Sequence, residues 1–388
     1  MKRSDYKRLG NYIREVDLRN RDLAVTEPMG ININKYFMPS VANIIGTDLS
    51  KYKIVGKRQF ACNLMHVGRD GKIPIAVLQH DVAIIVSPAY LVFEIIDDTA
   101  LIPEYLMMWF RRSEFDRNAW FYTDADVRGG LSKQALFDMT LPVPSIERQR
   151  AIVAEYEALS RRINLNRSTI AQLEATAQTL YRKMFVDDID PEHLPSGWRM
   201  GTIGEYAPLK SGYAFKSDWW QKSGIPVIKI GTIENNGIRK CNCDFVDETK
   251  YELAKESYAK YGDIVIAMTG ATIGKIAINF NYSDVFLVNQ RVGVFNLKGD
   301  SMQHTPFLYM TLSRNDIQNE IRSIGGDSAQ ANVSGKDIEK IQIILPNSKS
   351  ISTFNKKCNI LFILNSIKWN EIEKLTELQS LLLAKMGQ

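Results

Sequence analysis

"IERQRAIVAEYEALSRRINLNRSTIAQLEATAQTLYRKMF", residues 146–185, contains neither proline nor glycine. Within it Ile152, Tyr156, Leu159, Ile163, Asn166, Ile170, Leu173, Ala177, Leu180 and Met184 recur at alternating spacings of four and three. That is a heptad seam, which predicts one long helix with a single apolar stripe for a partner helix. Ser145 is placed to cap its N-terminus and Glu147 to face the positive end of its dipole. At 1.5 Å per residue such a helix is about 60 Å long.

Its counterpart lies in the tail, from about residue 350 to 385. Phe354, Cys358, Leu361, Ile372, Leu375, Leu382 and Met386 occupy an equivalent stripe, interrupted by Asn365 and Lys368. A polar residue in a seam sets register at some cost in stability. Ile360, Leu364, Ile367, Leu378 and Leu381 widen the apolar face, which predicts contacts beyond one partner helix. The helix–helix interface is therefore expected at Ile152, Tyr156, Leu159, Ile163, Ile170, Leu173, Leu180, Met184, Leu361, Ile372, Leu375 and Leu382.

The segments outside the helices are related to each other. Pro144 and Pro346 each close a strand-like run, "MTLPVP" and "IQIILP", 202 residues apart. The same offset pairs Ser132 with Ser334, Val92-Phe93 with Val294-Phe295, Leu106 with Leu308 and Lys183-Met184 with Lys385-Met386. A near-constant offset over this length marks a tandem duplication. In each copy Val/Ile-rich strands such as "DVAIIVS" and "DIVIAMT" alternate with short helical runs and Gly/Asn/Ser turns. The expected architecture is α+β: two similar domains joined by two long antiparallel coiled-coil helices about a pseudo-two-fold axis. The expected segments are a first domain over 1–144, a first long helix over 145–186, a linker and second domain over 187–347, and a second long helix over 348–388.

One short motif bears on chemistry. "MTGATIGKIAI", 268–278, resembles the start of a phosphate-binding loop. A P-loop needs G-x-x-x-x-G-K-[ST]. Here Gly270 and Gly274 are separated by three residues, and Ile276 follows Lys275. "GKIPIA" at 71–76 repeats the element at an offset of 203. The Gly-Lys turn thus reads as a structural feature of the duplicated domain.

Composition sets further bounds. Of the 388 residues, 45% are hydrophobic and 24% charged, with a net charge of +5, ordinary globular values. The mild excess of base permits a polyanionic partner without requiring one. Cys62, Cys241, Cys243 and Cys358 lack zinc-site spacing. "MKRSDYKRLG" has no apolar core of a signal peptide, and no run approaches the length of a membrane span. A cytoplasmic protein with no membrane partner is expected. No acid/base or nucleophile–base constellation stands out, no glycine-rich cofactor loop follows a strand, and the N-P-P-[FY] or D-P-P-[FY] motif of an amino-methyltransferase is missing. A non-catalytic chain without a cofactor of its own is expected.

Two similar domains on a rigid spacer suit a bipartite target, and double-stranded DNA is the natural one. Because the copies have diverged, the two half-sites should differ, giving a split, asymmetric site. Beyond these arguments, "LPVPSIERQRAIVAEYEAL" (141–159), "LPSGWRMGTIGEY" (194–206), "SGYAFKSDWW" (211–220) and "VNQRVGVF" (288–295), in this order and spacing, resemble the specificity subunit of type I restriction–modification systems. That resemblance covers essentially the whole chain. It implies two target-recognition domains, long helices acting as a ruler, and docking of two modification (methyltransferase) subunits. Those would carry S-adenosylmethionine and methylate adenine N6; restriction subunits would use ATP.

DNA contacts are expected from polar turn residues, with Arg or Lys reading guanine, Asn or Gln reading adenine, and others holding phosphates. In the first domain these are Asn63, His66, Arg69, Lys72, Arg128 and Lys133. In the second they are Lys210, Tyr213, Lys216, Thr269, Thr272, Lys275, Asn289, Gln290, Arg291, Ser328, Gln330, Asn332, Ser334 and Lys336. Two other readings compete: a coiled-coil scaffold whose end domains bind protein, and a P-loop nucleotide hydrolase.

Overall fold

The computed structural model describes residues 6–40, 46–65, 67–123, 129–234, 236–282, 285–297, 299–326 and 332–387. The chain forms two compact units, residues 1–161 with 376–388, and residues 162–375. Each takes a share of both long helices, Ile146–Phe185 and Ser348–Lys385.

The first unit is built on a four-stranded sheet in the order Ile13–Glu15, Leu91–Ile95, Phe60–Cys62, Ile75–Val77. All its pairings are antiparallel. Side chains alternate between its faces, as the pleat requires. Phe60, Cys62, Leu91 and Phe93 enter one core while Ala61 and Val92 enter another. Helices Pro103–Phe110 and Ser113–Phe121 cover the first face.

The second unit repeats this plan. Leu209–Ser211, Val292–Phe295, Ile264–Ala267 and Ile276–Ile278 stand in the same order within a six-stranded sheet. Alternation recurs, with Ile264 and Ile266 in one core and Val265 and Ala267 in the other. The helices Ser301–Leu312 and Asn315–Gly325 take the places of the first pair. Tyr6–Arg8 pairs with Thr140–Pro142 in the first unit, and Arg199–Thr202 with Gln342–Leu345 in the second. Ser132 and Ser334, 202 residues apart, both cap helices, accepting from Ala135 N and Asp337 N. The echoed glycines share a cause. Gly71 and Gly274 have φ of 63° and 86°, a left-handed conformation that glycine adopts without steric cost.

Within each unit the two long helices run antiparallel. In the second, Arg162 meets Glu371, Glu174 accepts from Asn365, and Tyr181 packs edge-on against Phe354. In the first, Gln379 donates to Ser160 Oγ at 2.7 Å. Buried amides tie the long helices to the globular part of each unit. Gln149 bonds to Ala100 O, Pro144 O and Ile102 N, and Asn355 Oδ1 accepts from Phe307 N.

Of the expected seam, Ile152, Ile163, Ile170 and Ile372 are buried, and Tyr156, Leu159, Leu173, Leu180, Met184, Leu361, Leu375 and Leu382 are half-buried. Two features differ from expectation. Tyr181 and Phe185 are buried more deeply than Leu180 and Met184, because this end of the helix turns toward Phe307 and Trp198 of the globular part. An ideal helix drifts off a strict heptad, so the face presented to a sheet need not be the one read from the seam. On the tail helix the buried face runs through Phe362 and Trp369, whereas Ile360, Leu364, Ile367, Leu378 and Leu381 are exposed.

The Arg162–Glu371 pair gives a pH signature. Hydrogen bonds from Arg162 and then Lys368 hold the Glu371 carboxyl down to about 2, against an ordinary value of 4.5. A depressed carboxylate contributes stability that is present above its unfolded pKa and lost as pH falls through its folded one. The destabilisation caused by Arg162→Met should therefore be seen in urea unfolding at pH 7 and should shrink progressively between about pH 4.5 and 2. An unchanged difference across that window would contradict the pairing.

Candidate nucleic-acid interface

The strands of the second unit's sheet bring separate turns to one end. The turn after Ile264–Ala267 carries Thr269, Thr272 and Lys275, and Gly274 N closes it on Ala267 O at 3.0 Å. The turn before Val292–Phe295 carries Asn289, Gln290 and Arg291. Backbone bonds join the two turns to each other and to two further segments: Met268 N donates to Arg291 O, Val333 N to Met268 O, and Tyr213 N to Val288 O. Bridges link Tyr213 to Asn289 and Thr269 to Asn332. Gly212 permits this approach, since a Cβ there would collide with the carbonyls of Val288 and Asn289. Four segments distant in sequence thus form one polar rim.

Burial and bonding sort the candidates on it. Gln290, Arg291, Lys275, Asn332 and Lys336 are exposed. Asn289 uses its Oδ1 locally, accepting from Arg291 N at 3.3 Å. Thr272 Oγ1 donates to Thr269 O, and Thr269 Oγ1 is buried with no partner among the described residues. Ser334 is committed to its cap and to Asp337. The Tyr213 ring lies parallel to Trp219 at 6.1 Å and packs on a small core with Phe215 and Trp220. Lys216 Nζ lies 5.7 Å from the Trp219 ring centre, a cation–π placement. Lys210 sits 3.8 Å from Glu256.

The first unit gathers a corresponding rim. Leu131 N donates to Leu64 O and Gly68 N to Gly129 O, drawing Leu64 and Gly68 against Gly129 and Leu131. Neither Gly68 nor Gly129 has room for a Cβ, since each would meet the other's backbone within 2.7 Å. Lys72 is exposed. Asn63 Oδ1 accepts from Met65 N, Arg69 pairs with Asp70 at 2.7 Å, and Lys133 pairs with Glu15 at 2.7 Å. His66, Arg128, Ser328 and Gln330 lie outside the described residues.

The chemistry on these rims is hydrogen-bonding and cationic. Among the described residues no group of histidine, cysteine or carboxylate side chains could hold a metal ion, and no helix is long and apolar enough to cross a membrane. Gln318 and Arg322, which reach the second rim from the helix Asn315–Gly325, were not among the residues expected from sequence. Their i, i+4 spacing was the available signal, since it places them on one helix face.

Residues 195–381 match the family model described as the type I restriction modification DNA specificity domain. This segment carries the type I restriction–modification DNA specificity domain. The type I restriction enzyme HindI specificity subunit of Haemophilus influenzae is 23% identical to it, over 78% of this chain and 80% of that one. The MjaVIII specificity subunit of Methanocaldococcus jannaschii is 22% identical, over 63% of this chain and 60% of its own length. In fold, the chain is similar to the S subunit of a type I restriction–modification system from M. genitalium. That match has a TM-score of 0.55 at 17% identity and covers 99% and 96% of the two chains.

Proposed function

We propose that this chain is the non-catalytic DNA-reading subunit of a type I restriction–modification complex. Each unit would present one polar rim to one half of a split, asymmetric duplex site. The observation that carries this reading is the duplicated sheet with its polar turns gathered at the same end in both copies, within a family of DNA specificity domains. Its exposed Lys, Arg, Gln and Asn residues have the chemistry of groove and phosphate contacts. Modification subunits, and restriction subunits where they join, would be its protein partners. S-adenosylmethionine and ATP would belong to those partners.

The test is reconstitution. The chain combined with its modification subunit and S-adenosylmethionine should methylate adenines within one bipartite motif, read by sequencing of the treated DNA. Replacing residues 1–140 with the equivalent segment of another specificity subunit should change one half of that motif only. Methyl transfer by the chain alone, or a motif indifferent to the replacement, would overturn the proposal.

A further inference from the structure

The second unit holds a cavity of about 440 Å³ beside its Gly-Lys turn, lined by Thr272, Gly274, Lys275, Ser313, Gln318 and Arg322 among others. Its floor is fixed. Gln318 Nε2 donates to both Gly274 O and Leu312 O, clamping the turn to the two covering helices. Lys275 and Arg322 stand at its wall, both exposed, and among the described residues neither pairs with a carboxylate.

The duplication supplies an internal comparison. At an offset of 202, Phe110, Asp116 and Trp120 correspond to Leu312, Gln318 and Arg322. In the first unit this place is closed by the chain itself. Asp116 accepts from Ile73 N just after the Gly-Lys turn and binds the buried Lys35 ammonium, which also donates to Phe110 O. Trp120 Nε1 donates to Gly68 O, laying the indole against the 67–70 turn. Lys35 and Asp116 neutralise each other there, and Lys72, the counterpart of Lys275, stays exposed. In the second unit a neutral amide replaces the carboxylate, an arginine replaces the indole, and two cations face open space.

We propose that this second-unit pocket seats a backbone phosphate of duplex DNA, and that the first unit has no equivalent seat. The inference rests on the DNA-reading function proposed above. Two cations beside a fixed turn, with no carboxylate in the lining, match a phosphodiester oxyanion. The pocket lies at the sheet end that carries Gln290 and Arg291, so a phosphate held here would set the register of that rim on the duplex.

The experiment measures binding of the full-length chain, with its modification subunits, to two duplexes across a KCl series. One carries the methylated motif and the other a scrambled sequence. Lys275→Ala with Arg322→Ala should weaken both complexes about tenfold at low salt and lower the salt slope by about one to two. Gln318→Asp, which restores the first unit's carboxylate, should also weaken both duplexes, and more at low salt. Lys275→Arg should bind within about twofold of the parent, with unchanged thermal unfolding, separating charge from fold. Unchanged affinity and slope in the double variant, while the parent binds, would overturn the phosphate seat and leave the DNA-reading function standing. Loss confined to the motif duplex would overturn it in favour of base reading. A parent complex that binds neither duplex would overturn both.

Discussion

Asp116→Ala should destabilise the first unit by about 3–5 kcal/mol, the cost of leaving a buried charge without its partner. Lys35 and Asp116 are 5% and 7% exposed, and their charged atoms are 2.7 Å apart. Lys35 sits in the turn between strands Met29–Ile31 and Phe37–Pro39, at a φ of 68°. Burial pushes its ammonium pKa down even with the Asp116 carboxylate beside it. With Asp116 removed, Ile73 N loses its acceptor and, among the described residues, the ammonium keeps Phe110 O and the face of the Phe115 ring. Urea unfolding at pH 7 reads the loss. The double variant Lys35→Met/Asp116→Leu should recover most of it, because a buried pair replaced by apolar groups of similar volume is often neutral. A single variant as stable as the parent would show that the pair is not holding the hairpin to the helices.

Trp369→Ala should cost the second unit a similar amount, about 3–5 kcal/mol, as large-to-small changes of buried aromatics do. Trp369 projects from the tail helix and is 5% exposed. Its indole N–H donates to Ile238 O at 3.3 Å, its ring lies 6.3 Å from that of Phe280, and Arg239 stands over it at 5.6 Å. Gly237 makes room for it, because a Cβ at that position would overlap the indole. Gly237→Val should therefore push the indole out and approach the effect of Trp369→Ala. The two changes share one contact, so combining them should add less than their sum. Urea unfolding checks all three. A loss below about 1 kcal/mol for Trp369→Ala would mean that the helix is held by its seam alone.

Parts of this fold were legible because they are periodic. Residues 146–185 report their helix through spacing alone, and the 202-residue offset reports the duplication without any knowledge of contacts. The Gly-Lys echo also resolved correctly, since a turn repeated in both copies had to be structural, and the positive φ at Gly71 and Gly274 supplies the reason. The site was less legible. Lys133 and Lys275 look alike in sequence, as polar turn residues of related domains. One is held by Glu15, 118 positions away, while the other faces open space. Leu378 and Leu381 satisfied the apolar pattern of a helix face and remain exposed; Tyr181 and Phe185, one step off the seam, are buried.

By itself the sequence determined the class of object: a doubled α+β domain with two long helices and a glycine turn that is no P-loop. Those features depend on local propensity and spacing, which a chain displays along its length. The tertiary structure decided which side chains are spent. Asp116 is closed by Lys35 from 81 positions away, whereas its counterpart Gln318 offers Lys275 and Arg322 no carboxylate. That distinction comes from which strands and hairpins the sheet brings together, and pairings between distant segments leave no periodic trace in the sequence.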